Sequence, residues 1–243
     1  MFKFFRKIRQ NLLLENKTGK YFKYALGEIV LVVIGILIAL SINNWNENRK
    51  DNSTGKQYLR SIKEDLKKDL VLIDSVLKLN KHSLSIISSI DSVFHKKHYY
   101  NAGNYKSLFI EPDTLNFEIV FYRNTSFRSI NGTYKSLISD GKSGIIKNKE
   151  LFQKIQHIYN ENHERLTSSY EVIKDIEQRI SWAYPLEKQH WTYSNLKMAN
   201  GKKIFADLVW FTDEKYWYSL NLLRIKDNSQ EVISLIDKEI GND

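Results

Sequence analysis

The strongest constraint in this sequence is the stretch Ala25–Ile42, ALGEIVLVVIGILIALSI. From Ile29 to Leu40 every position but Gly35 is apolar. As a helix its 18 residues span roughly 27 Å. That length matches the hydrocarbon core of a bilayer, so the run predicts a transmembrane helix. No second run of this kind occurs in the chain, and the expectation is a single-pass protein.

The flanks agree with a membrane. Tyr21 and Tyr24 stand at one end and Trp45 at the other, where aromatic side chains sit at membrane–water interfaces. Residues 1–24 hold seven Lys and Arg against Glu15, which puts six of the nine net positive charges ahead of the run. A nucleic-acid-binding domain would carry its surplus in the folded part. Here the charge acts as an orientation signal, placing residues 1–24 in the cytoplasm and residues 56–243 on the other side of the membrane. Phe5, Ile8 and Leu12 share one helical face, with Lys3, Arg6, Lys7 and Arg9 mostly elsewhere. This pattern predicts a short interfacial helix with Phe2, Phe5, Arg6, Lys7 and Arg9 at the membrane surface. Ala39-Leu40-Ser41 passes as a small-x-small cleavage site, but the long basic segment and aromatic flanks favour an uncleaved anchor.

Inside the run, Glu28 lies one turn from the basic end and is the one candidate functional charge, because a carboxylate deep in lipid is costly. Gly27, Gly35 and Ala39 are small enough to let membrane helices approach closely, which points to a homo-oligomer.

The rest of the chain reads as all-α. Only 2 prolines and 10 glycines punctuate 243 residues, which favours a few long helices. Residues 43–55 read as a polar linker, with Ser53 or Thr54 capping the next helix. From Lys56 to about Phe94, a heptad seam runs through Leu59, Leu66, Ile73, Asn80, Ile87 and Phe94. Leu70, Leu77 and Leu84 form its companion row. HKKHYYNAGNY, with His95 and His98, reads as a solvated loop. A segment at 116–122 reads as a short helix, and another helix ends at Gly141. Asn148 caps a long helix that runs to Tyr184 and is stopped by Pro185. Thr212 or Asp213 caps a last helix to about Ile240, with Trp217 on its inner face. The expectation is a bundle of about three long helices plus short ones, arranged up-down-up from the membrane.

Chemistry is sparse. There is no cysteine, hence no disulfide and no thiolate ligand. Gly141-Lys142-Ser143 echoes a phosphate-binding loop, but Ser136 occupies the required glycine position and no strand precedes it. His157, Glu161 and Glu164 share a helical face without a matching Glu-x-x-His, so a solvated face is expected rather than a metal site. Trp182, Trp191, Trp210 and Trp217 are expected in the core. No catalytic set, cofactor or metal is implied.

Three blocks carry a resemblance: FFRKIRQ with ENKTGKY, then ALGEIVLVVIGILIALSINNWNENRK, then TYKSLISDGKSGIIKNKELFQKIQHIYN. They resemble an uncharacterised membrane-protein family, a domain of unknown function common in Bacteroidota. The resemblance implies an anchored protein with an extracytoplasmic helical domain and transfers no functional residue. Asp74-Ser75-Val76, Asp91-Ser92-Val93 and Asp113-Thr114-Leu115 also look like the O-glycosylation triplets of exported Bacteroidota proteins, and Thr114, beside Pro112, is the candidate.

Function therefore reads as a non-enzymatic, homo-oligomeric scaffold, sensor or accessory subunit of the cell envelope, with the bilayer and another envelope protein as partners. Two rivals stand beside it. One is a pore built on a Glu28 ring. The other is a periplasmic metal-dependent hydrolase using His157, Glu161 and Glu164.

Overall fold

A computed structural model describes residues 18–109, 117–123, 126–189 and 191–241. Every regular element among them is helical. The chain divides into two compact units, Met1–Gly55 and Lys56–Asp243. Helix α1, Thr18–Ile90, contributes residues to both.

In the first unit α1 carries an 18-residue window of mean hydropathy 2.7, none of it buried. This helix is long and apolar enough to cross a membrane. Residues 43–55 are helical too, so Ser53 and Thr54 lie inside α1 and cap nothing. Glu47, Arg49 and Lys50 suit an exposed helix, and Asn43 donates to Glu47 one turn on at 3.1 Å, which offsets part of the poor helix propensity of the asparagines.

The second unit has two cores. One gathers Leu59, Ile62 and Leu66 of α1 with Tyr134, Leu137, Leu151, Ile155, Val232 and Ile236. The other gathers Ile73, Leu84 and Ile87 with Phe121, Ile173, Ile180, Leu208 and Leu222. All six seam residues expected from the heptads are buried, Asn80 included. Leu77 and Leu84 are buried as well, with Leu70 half-buried. The seam crosses a kink, however. Asp91 accepts hydrogen bonds from the Val93 and Phe94 N–H groups, which diverts them from the helical ladder and starts α2, Ser92–Asn101. His95 and His98 are therefore helical residues rather than parts of a loop.

Short helices follow: 3-10 turns at Gly103–Phe109 and Phe117–Phe121, then α3, Gly132–Ser139. Gly141 takes φ +65° and ends α3, with the Lys142 N–H reaching back to the Leu137 carbonyl. Helix α4, Lys149–His157, is capped by Asn148, whose side chain accepts from the Leu151 N–H at 3.0 Å. The expected single helix to Tyr184 is interrupted by a π turn, Ile158–Asn162, before α5, His163–Ala183. Ile158 and Tyr159 are consecutive and both buried, which the widened turn permits. Helix α6 is Tyr193–Ala199 and α7 is Lys203–Gly241. Helix α7 thus starts ahead of the expected cap, just after Gly201 at φ +85°. Thr212 lies buried inside it, donating to the Leu208 carbonyl.

Cross-links fix the directions of these elements. Lys63 pairs with Asp237 and Asp74 with Lys226, while Asn80 donates to Ser219, so α1 and α7 are antiparallel. Asn148 meets Glu239, Lys154 meets Glu231 and Tyr184 meets Asp207, so α4–α5 is antiparallel to α7 as well. The three long helices are therefore not up-down-up. The missing downward leg runs through residues 117–123 and 126–146, where α3 and short 3-10 turns are joined by irregular chain. Ile119 lies by Ser83, Ile130 by Asp69, Thr133 by Asp65 and Asp140 by Tyr58, a descent along α1.

Candidate functional site

An irregular leg packed against helices cannot satisfy its own backbone polar groups, and each must find a partner. The chain supplies them from buried polar side chains. Lys215 is fully buried on α7, and its Nζ donates to Ser83 Oγ at 3.1 Å, to the Ile119 carbonyl at 3.1 Å and to the Val120 carbonyl at 3.4 Å. The same ammonium lies 4.2 Å from the centre of the Phe211 ring. Ser83 also donates to the Ile119 carbonyl at 3.2 Å. Burial pushes the Lys215 ammonium down to about 7, with Glu177 pulling the other way. Further down the leg, the Phe127 N–H donates to Tyr218 Oη at 3.0 Å and the Ile130 N–H to Asp69 Oδ1 at 2.9 Å. Thr133 Oγ1 donates to Asp65 Oδ2 at 2.6 Å. Burial raises Asp69 to about 6 in spite of the Ile130 hydrogen bond.

These are shifted titratable groups of the kind that mark active sites. Their surroundings say otherwise. The Lys215 ammonium is engaged on three acceptors and sealed from solvent, so it has neither a free direction nor a substrate path. One oxygen of Asp69 holds the leg's backbone. The arrangement clamps chain, and its chemistry is satisfaction of buried amides and carbonyls.

A second polar centre lies where α2 meets α7. His98 is fully buried between the rings of Phe94 and Tyr216, with centroids at 4.3 and 4.2 Å. Its Nε2 is 2.6 Å from Asp213 Oδ1, yet the ring N–H does not point along that line, and neither ring nitrogen has an aligned hydrogen bond. Burial lowers the imidazole below its ordinary range against the pull of Asp213. Lys97 Nζ shares Asp213 Oδ1 at 3.0 Å, and Trp217 Nε1 donates to Oδ2 at 3.3 Å.

The residues singled out in the sequence mostly stay apart. Phe2, Phe5, Arg6, Lys7 and Arg9 lie outside the described residues, as does Thr114. Tyr21 and Tyr24 belong to α1. Trp45 is exposed, with the Arg49 guanidinium 6.0 Å from its ring centre. Glu28 is half-buried. Gly27 and Gly35 face open space, where an added Cβ would meet nothing within 4 Å, and Ala39 is exposed. His157 Nδ1 pairs with Glu161 Oε2 at 3.1 Å on the surface, and no trio of His, Asp or Glu is placed to hold a metal ion among the described residues. The tryptophans correct the sequence reading: Trp182 is 87% exposed, Trp210 46% and Trp217 43%, with Trp191 alone half-buried against Phe121. Smaller residues, Leu208, Phe211, Tyr218 and Leu222, fill the core they were expected to fill.

Lys215, His98 and Asp69 were missed, although signals existed. Lys215 interrupts an apolar row, Leu208, Phe211, Leu222 and Ile225, that becomes visible once α7 starts at Lys203. His98 stands one turn after Phe94 and so continues the heptad seam. Asp69 follows Leu66 toward Ile73 on the buried face.

The fold and these sites define an all-α protein with one helix of membrane-spanning length and a bundle in which buried polar side chains such as Lys215 and Asp69 hold backbone groups. Its family can be stated plainly. The profile of DUF6090, a family of unknown function, matches residues 28–207, most of the chain, and the protein belongs to that family. No curated protein and no solved structure matches the chain.

Proposed function

We propose that this protein is a single-pass membrane anchor carrying a helical bundle, and that it works in a bacterial cell envelope as a homo-oligomeric scaffold, sensor or accessory subunit rather than as an enzyme. One observation carries the reading: an 18-residue helical window of mean hydropathy 2.7 of which nothing is buried. Each Leu, Ile or Val left in water forgoes about 1.5–3 kcal/mol of burial, so a dozen such residues demand an apolar surrounding. Lipid supplies it for a helix of this length. The basic surplus in residues 1–24 supports a cytoplasmic N-terminus, with residues 56–243 across the membrane. The buried Lys215 and Asp69 and the half-buried Asp65 already hold backbone or side-chain partners, which favours an interaction role over catalysis.

The chain has no cysteine, which makes the topology directly testable. Gln10→Cys and Ser139→Cys are introduced separately, and intact spheroplasts are treated with a membrane-impermeant maleimide. Ser139→Cys labels in intact spheroplasts and Gln10→Cys only after lysis. Equal labelling of both before lysis, or labelling of Gln10→Cys alone, overturns the orientation.

A further inference from the structure

A groove of about 670 Å³ lies open to solvent where α7 begins. Its floor is apolar, with Phe205, Val209 and the half-exposed face of Trp210. Its rim is built from charged residues, and their partners decide its sign. Asp91 is committed to the Val93 and Phe94 N–H groups. Asp213 is paired with Lys97 and accepts a hydrogen bond from Trp217. Lys202 and Lys203 are exposed, and neither has an ion-pair partner among the described residues. Three lysines against two carboxylates leave the rim with a net positive charge, and Lys202 and Lys203 are its two cations without an ion pair. Gly201, at φ +85°, turns the chain so that both lysines lead directly into the first turn of α7, whose free N–H groups add positive potential.

We propose that this groove docks an acidic peptide segment of a partner protein, with carboxylates on Lys202 and Lys203 and one bulky apolar side chain against Trp210 and Val209. Charge complementarity selects the acidic segment, since lysines outnumber carboxylates at the groove and Lys202 and Lys203 are the ones without an ion pair. The exposed indole selects the apolar residue, because tryptophan on a surface contributes most when a partner covers it. An open groove suits an extended peptide better than a small molecule, which needs enclosure. The proposal rests on reading the chain as an interaction protein and names the chemistry of its partner. It is independent of the membrane orientation, which the maleimide labelling reads separately.

The test uses the full chain in nanodiscs of neutral phosphatidylcholine, with a fluorescein-labelled peptide of sequence EEDLWED as probe. Hexaglutamate and the peptide with every acidic residue changed to lysine are the controls. The acidic-apolar peptide binds at least about tenfold tighter than either control, as one anchored aromatic side chain and two ion pairs allow. Lys202→Glu with Lys203→Glu weakens it by about tenfold or more, and Trp210→Ala by a similar factor. Lys78→Glu with Lys135→Glu, two exposed lysines on other helices, leaves binding unchanged. All replaced side chains are exposed, and equal unfolding midpoints show that the fold is retained. Hexaglutamate binding equally well, or indifference to the groove variants, overturns the proposal.

Discussion

Helix α1 contains two apolar stretches that differ in pattern more than in composition. Residues 25–42 are apolar on every face, and none of the most apolar window is buried. Residues 56–90 are apolar along one stripe, and that stripe is buried throughout the second unit. The period of the hydrophobic residues, rather than their number, decides which solvent a helix accepts. A stripe can be covered by two neighbouring helices, whereas a helix apolar all round needs lipid or protein on every side.

Substitutions that separate the two stretches have distinct expected effects. Leu84→Ala opens a cavity in a fully buried site and should lower the stability of the bundle by about 2–5 kcal/mol, read by urea unfolding, with membrane retention unchanged. Ile34→Arg should do the reverse. It costs about 3 kcal/mol of insertion free energy at the centre of the span and releases protein from membranes, while the unfolding midpoint of residues 56–243 stays the same. An effect of Ile34→Arg on that midpoint, or of Leu84→Ala on membrane retention, would erase the distinction.

The irregular leg sharpens the comparison. Lys215→Met takes the ammonium donor from the Val120 carbonyl and leaves the Ile119 carbonyl to Ser83 and the Tyr122 N–H, which costs about 1–3 kcal/mol in spite of removing a buried charge. Amide exchange should accelerate around residues 117–123 first. The two polar clamps also differ in the sign of their pH dependence. Lys215 titrates near 7 in the fold against an ordinary 10.5, so its contribution is present at high pH and is lost as pH falls through 7. Asp69 titrates near 6 against an ordinary 3.8, so its contribution is full below 3.8 and is lost as pH rises through 6. Urea midpoints measured from pH 4 to 9 should therefore lose their alkaline rise in Lys215→Met and their acid-side gain in Asp69→Asn. The smallest expected effect is Asn148→Ala, about 1 kcal/mol from a lost cap at α4.

Much of the fold was legible because long helices advertise themselves. The apolar run, the heptad seam, the Asn148 cap and the Gly141 stop all follow from spacing and cap chemistry, and each appears in the structure. The course of the descending leg was not legible. Its short helices at Phe117–Phe121 and Gly132–Ser139 were read from the sequence, but residues 126–131 between them have no helical period, since the Phe127 and Ile130 N–H groups are satisfied by distant side chains. Missing that leg made the long helices look up-down-up. It also hid Lys215 and Asp69, whose burial makes sense only beside it. The tryptophans misled for a related reason. They are large and apolar, but the core positions on α7 are filled by smaller residues, and three of the four end on the surface.

The central claim is that α1 passes from a lipid-facing stretch to a water-soluble bundle near Gly55. The most direct test compares the full chain with a fragment beginning at Lys56, both expressed in bacteria and extracted with alkaline carbonate. The account predicts that the full chain stays in the membrane pellet, while the fragment is soluble without detergent and unfolds cooperatively in urea. A full chain released by carbonate, or a fragment that itself pellets with membranes, would contradict it.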